Sequence, residues 1–134
     1  MRLISYNILD GGEGRADPIA EVIEAQRPDV VCLVEADDTA VLDRIARRLD
    51  FELIHAPGNT HAAALLSRWP IRESINHAPL HKDFEKSLLE ATVVEPATNR
   101  EWTVGEGSTR QDPARSIPRS ERAAGARRRP GRAG

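Results

Sequence analysis

One cysteine, Cys32, stands among 134 residues. A lone cysteine excludes an internal disulfide and any cysteine-rich zinc cluster, and a small buried core residue is its expected role. Long apolar runs are also missing: none approaches the ~20 residues that a membrane-spanning helix needs. The first residues, MRLISYNILDGG, carry one basic side chain and a short apolar stretch broken by Ser5, Tyr6 and Asn7. No small-residue cleavage site follows them, so mature sequence of a cytoplasmic protein is expected. Internal repeats are absent. The length allows one domain at most, since domains run to roughly 100 to 200 residues.

What is present divides after Val104. Residues 1–104 hold 11 Lys+Arg against 18 Asp+Glu, a net of −7, whereas 105–134 hold 8 against 3, a net of +5. The last thirty residues contain no aromatic and a single large apolar side chain, Ile117; Arg, Ala, Gly and Pro dominate them. Such a segment buries too little surface to offset its ordering entropy, so a disordered tail is expected over 105–134. Its basic charge suits contact with phosphates, without base stacking. Its composition is also what GC-rich coding DNA gives when read out of frame.

Periodicity orders residues 1–104. RLISYNIL (2–9) reads as a strand ending in the Gly11-Gly12 turn. Asp17-Pro18 reads as a helix N-cap with proline at the first helical position. Ile19, Val22, Ile23 and Gln26 follow at helical spacing until Pro28. In DVVCLVEA the run Val30 to Val34 is apolar without alternation, the pattern of a strand covered on both faces. Thr39 is placed to cap a second helix whose stripe is Val41, Leu42, Ile45, Ala46 and Leu49, with a solvated polar face opposite. From Phe51 onward come short strands without helices: FELIH, AAALLS, IRESINHA, SLLEATVV and REWTV, expected to pair mostly antiparallel. The fold class is therefore α/β, a mixed sheet with helices on one face, and it looks like half of a larger architecture.

Two polar residues interrupt these apolar strands. Asn7 lies in the first, and Glu35 closes the second, where a carboxylate is costly unless paired or coordinated. Parallel strand-helix-strand geometry puts both at the carboxyl edge of the sheet, where ligand clefts of α/β proteins form. A carboxylate and an amide oxygen are hard ligands that suit Mg²⁺ or Mn²⁺ better than zinc. The bland alternative is a turn-capping Asn7 and a solvated Glu35. His55, His61, His77 and His81 have no zinc spacing outside the last pair, which Pro79 interrupts, and surface histidines are expected. Gly11, Gly12 and Gly14 lack the Lys-Ser/Thr of a phosphate-binding P-loop.

RLISYNI, then RPDVVCLVEA, then HAAALLSRWPI resemble the N-terminal half of the endonuclease/exonuclease/phosphatase superfamily. The resemblance covers about 2–104. It implies a partial four-layer α/β sandwich with its second sheet largely absent, a divalent metal in a cleft between two sheets, and hydrolysis of phosphate esters. Asn7 resembles the family's asparagine at the end of the first strand, which helps to hold metal and scissile phosphate, and Glu35 its metal-ligating glutamate. The segment Leu65 to Ile71 resembles a structural strand and turn, with Arg68 the sole candidate there for a catalytic role. Val34 stands where many members have Gln, a departure from the repair-nuclease branch. No His-Leu strand, Asp-x-Asn strand or Asp-His pair follows, and no histidine occurs after His81. The expectations are a metal-dependent phosphoesterase domain with a phosphate ester or nucleic acid as substrate, inactive as this chain, and self-association through an exposed sheet. The alternative is a non-catalytic fragment that binds polyanions or nucleic acid through its basic tail.

Overall fold

The computed structural model describes residues 1–78 and 87–107. The elements run β1 (Leu3–Asn7), a 3-10 turn (Asp10–Gly12), α1 (Ala16–Gln26), β2 (Val30–Val34), α2 (Thr39–Leu49), β3 (Glu52–Ala56), β4 (Ala63–Ser67), β5 (Ile71–Asn76), β6 (Leu88–Glu95) and β7 (Arg100–Gly107). The tail beyond 107 and the His81 and Pro79 positions lie outside the described residues. β7 runs to Gly107, three residues past the boundary expected at Val104.

Four strands form a mixed sheet in the order β1-β2-β4-β3. β1 is parallel to β2, while β4 runs antiparallel to both β2 and β3. The apolar run of β2 works as its pattern predicts, because alternate side chains serve two cores. Val31 and Leu33 face α1 and α2, in a cluster with Ile19, Ile23, Leu42 and Ile45. Val30 and Cys32 face the other way, in a cluster with Leu65, Leu89, Val93 and Val104.

That second cluster is made by a separate three-stranded antiparallel sheet, β5-β6-β7. The chain leaves the first sheet at Trp69-Pro70. Ser67 Oγ sits in that corner, donating to Trp69 O at 2.7 Å and accepting from Trp69 N at 3.1 Å, and Trp69 is buried between the sheets. A register shift between Ile71 and Glu73 then turns Ile71 inward. Both faces of the mixed sheet are therefore covered. The outer face of the second sheet carries Ile75, which is exposed.

The helices form where the periodicity places them, but their caps differ from expectation. α1 starts at Ala16 after Arg15, so Asp17 lies inside the helix and makes no cap bond. It binds Arg44 of α2 through two hydrogen bonds, at 3.1 and 2.8 Å, and also pairs with Arg48. These bonds, that to Arg44 foremost, hold its carboxyl below the usual carboxylate range. The polar face of α2 thus pairs with α1 rather than being merely solvated. Asp38, not Thr39, caps α2 by accepting from Ala40 N and Val41 N at 3.0 and 3.3 Å. Sequence spacing misses this because both Asp38 and Thr39 are cap formers and a helix start read from spacing is uncertain by a residue or two. Among the described residues no helix is long and apolar enough to cross a membrane.

Candidate functional site

The parallel pairing of β1 and β2 sets Asn7 against Val34. Asn7 and Glu35 therefore emerge side by side at one carboxyl edge of the mixed sheet, as their strand positions predict. Both side chains hold the same loop. Asn7 Oδ1 accepts from Leu9 N at 2.9 Å, an Asx-type turn, and Glu35 Oε2 accepts from Asp10 N at 3.1 Å. Gly11 N adds a bond to Glu35 O at 2.8 Å.

The backbone of this loop is unusual. Leu9, Asp10, Gly11 and Gly12 all have positive φ, at 55, 49, 75 and 69°, and Glu35 opposite them has 57°. Left-handed conformations are costly for residues with a side chain and persist where surrounding bonds over-determine them. Those bonds are visible here. Arg15 clamps the outer side, its guanidinium donating to Ile8 O at 2.8 Å and Leu9 O at 2.6 Å. Gly11 has a packing reason as well, since a Cβ there would lie 2.9 Å from Asp38 N. The glycines serve tight turning and close approach to the start of α2.

Sequence spacing did not reveal a second set of contacts, around the loop after Glu35. Asp37 Oδ1 accepts from Ala62 N at 2.6 Å and its Oδ2 accepts from His61 Nδ1 at 2.7 Å. Ala36 N donates to Ala62 O at 2.9 Å, and His55 Nε2 donates to Ala36 O at 3.2 Å. Two of the histidines expected at the surface thus grip the segment that carries Glu35. The signal in the sequence was the acidic run Glu35-Ala36-Asp37-Asp38, but nothing local says that β4 brings His61 to it. His77 is elsewhere, its Nε2 2.9 Å from Glu90 Oε2.

Arg68 does not join this edge. It pairs with Asp29, a buried residue at the amino end of β2, and its backbone N–H also donates to Asp29 O at 2.9 Å. Arg2 N donates to the same carboxylate at 2.6 Å. The candidate catalytic role is therefore corrected to a structural one: the pair ties β1, β2 and β4 together at the opposite end of the sheet.

As a metal seat the carboxyl edge offers hard oxygens only. Among the described residues no three His, Cys, Asp or Glu side chains converge as a cage. The donor set still fits Mg²⁺ or Mn²⁺, because such ions are held by one or two protein carboxylates and complete their shell with water and substrate phosphates. Zinc, which is usually held by three or four protein ligands drawn mainly from His and Cys, fits an amide and one carboxylate less well.

The family model of the endonuclease/exonuclease/phosphatase family matches residues 4–133. The chain belongs to that family. Solved structures agree on the fold of this family member. A D. rerio TDP2 complexed with a single-strand DNA product is 18% identical, with a TM-score of 0.69, over 92% of this chain and 52% of that one. An endonuclease/exonuclease/phosphatase family protein from Leptotrichia buccalis is 12% identical, with a TM-score of 0.61, over 82% of this chain and 55% of that one. The 3′ phosphatase NExo (D146N) from Neisseria, bound to a product DNA hairpin, is 16% identical at a TM-score of 0.54, over 69% of this chain and 37% of that one. The chain spans about half the length of the first of these relatives. No curated protein matches it.

Proposed function

We propose that this chain carries the metal-holding edge of a metal-dependent phosphoesterase acting on nucleic acid, with Asn7 and Glu35 holding Mg²⁺ or Mn²⁺ and the substrate phosphate. The observation that supports it most is that Asn7 and Glu35 each hold one loop of four successive positive-φ residues at the same sheet edge. Strain of that kind is kept where geometry matters more than stability. The DNA products bound to the D. rerio and Neisseria structures favour a nucleic acid substrate.

The division of labour follows from the contacts. Glu35 supplies the anionic oxygen and Asn7 the neutral one. Leu9 and Asp10 amides keep those two side chains on the loop side of the edge. The Asp37–His61 pair and His55 hold the segment after Glu35 still. A bound divalent ion supplies Lewis-acid stabilisation of charge on a phosphoryl oxygen. One carboxylate and one amide make a weak seat, and groups that act as a unit lose most of their effect when members are missing. Hydrolysis by this chain alone is accordingly placed at background.

Isothermal titration with Mg²⁺ and Mn²⁺ tests the seat, alongside turnover of a phosphodiester and a phosphomonoester. The expected result is binding in the millimolar range that Glu35→Ala abolishes, with no turnover in either protein. Metal binding that survives Glu35→Ala overturns the seat, and turnover by the parent that vanishes in Glu35→Ala overturns the inactivity. A polyanion-binding tail is separated from both by deleting 108–134, a cut that spares β7, and following salt-sensitive DNA binding.

A further inference from the structure

Among the described residues β7 is an edge strand that pairs with β6. Its inward face carries Trp102, Val104 and Glu106 into the cluster between the sheets. Val104 packs there without conflict. Its neighbours do not: Trp102 Nε1 and both carboxylate oxygens of Glu106 are buried without a hydrogen-bond partner, and they are the only such side-chain atoms among the described residues. Four residues apart on an extended strand, the two side chains lie roughly 13 Å from each other, so neither can satisfy the other.

The surroundings of Glu106 offer no charge to offset its own. It is 6% exposed. Its register partner on β6 is Leu89, and β3 and β4 contribute Ala56, Ala63 and Leu65 to the same cluster. From β2 comes the Cys32 thiol, which burial pushes up to about 12 and which stays neutral. No cation faces the carboxyl group among the described residues. Burial accordingly pushes Glu106 up to about 8. A neutral acid tolerates that site far better than a carboxylate does.

We propose that β7 is a strand poised to leave the second sheet, a latch closed by the neutral carboxyl group of Glu106 and opened when that group gives its proton to solvent. An open β7 returns Glu106 and the Trp102 indole N–H to water. It also bares the β6 edge and the inner side chains Leu89, Ala91 and Val93, an edge of the kind on which chains associate. The sign follows from proton binding. The closed strand binds the proton more tightly than the open one, so closure is most favourable below the ordinary carboxyl value of 4.5 and is lost as pH rises to about 8. Across that window the opening equilibrium rises up to tenfold per pH unit.

Hydrogen exchange followed by NMR on the full chain, between pH 5 and 8.5, tests the latch. After correction for intrinsic exchange, protection of the β7 amides bonded to β6 should fall by up to tenfold per pH unit, while β2 and β4 amides hold theirs. In Glu106→Gln and Glu106→Leu the pH dependence of β7 should vanish. Fluorescence of Trp102 in a Trp69→Phe background gives a second measure, shifting to the red with rising pH in the Glu106 protein and staying constant in Glu106→Gln. Protection in β7 equal to that in β2 at every pH, or a pH dependence that survives in Glu106→Gln, overturns the proposal.

Discussion

Glu35 and Glu106 both stand at or near the end of a strand that sends side chains into the core between the sheets, and the molecule treats them in opposite ways. Glu35 follows the last residue of β2, where the chain has already turned away, and a backbone amide from the 3-10 loop meets its carboxylate. Glu106 comes before the end of β7 and points between the sheets, where it meets the weakly donating Cys32 thiol and no well-aligned hydrogen-bond donor among the described residues. Glu35 lies one residue past its strand and Glu106 one residue inside its own, and lying beyond the sheet rather than on its inner face separates a carboxylate held at a loop from one buried at a cost. A carboxylate at a strand end is a candidate site, while the same group on the inner face is a conditional weakness.

The largest effect to measure concerns the core that gives Glu106 its burial. Leu65 is fully buried in that cluster, and Leu65→Ala should cost about 3 kcal/mol in urea unfolding. A cost below about 1 kcal/mol, a fraction of the usual range for such truncations, means a loose interface between the sheets and ends the contrast between the two glutamates.

Next comes Glu106 itself. Glu106→Leu should raise stability by on the order of 2 kcal/mol at pH 8, since it removes an unpartnered buried acid. The gain should shrink as pH falls toward 4.5, since the folded carboxyl is then neutral and the unfolded one loses its charge below that value. Unfolding curves at pH 5 and pH 8 measure it, and a gain equal at both values would mean that packing, not ionisation, governs β7.

The smallest shift is expected at the other end of the comparison. Glu35→Leu should change stability by less than about 1 kcal/mol, because its one hydrogen bond, from Asp10 N, is exposed. The same substitution should remove Mg²⁺ binding. A large stability gain from Glu35→Leu would make the two glutamates alike and sink the argument from strand position.

Much of this was readable in the chain. The apolar run Val30 to Val34 specified a strand covered on both faces, the stripe from Val41 to Leu49 specified the buried side of α2, and the strand ends singled out Asn7 and Glu35. These signals are local. Their physics is the periodicity of one element against water, and one element is enough to express it.

Other features needed the assembled fold. Asp38 caps α2 although Thr39, one residue on, is a cap former too, and Asp17 binds Arg44 and Arg48 rather than starting α1. His61 meets Asp37, 24 residues away, because β4 returns antiparallel beside β2. The corner at Trp69-Pro70 sends β5 to a second sheet instead of the edge of the first, and so puts Glu106 against Cys32. Sequence by itself determined which residues seek burial and which strand ends carry polar groups, since each depends on the side chain and its near neighbours. Which polar groups find partners was decided by tertiary structure alone, because a hydrogen bond or an orphaned carboxylate is a property of two distant segments brought within about 3 Å.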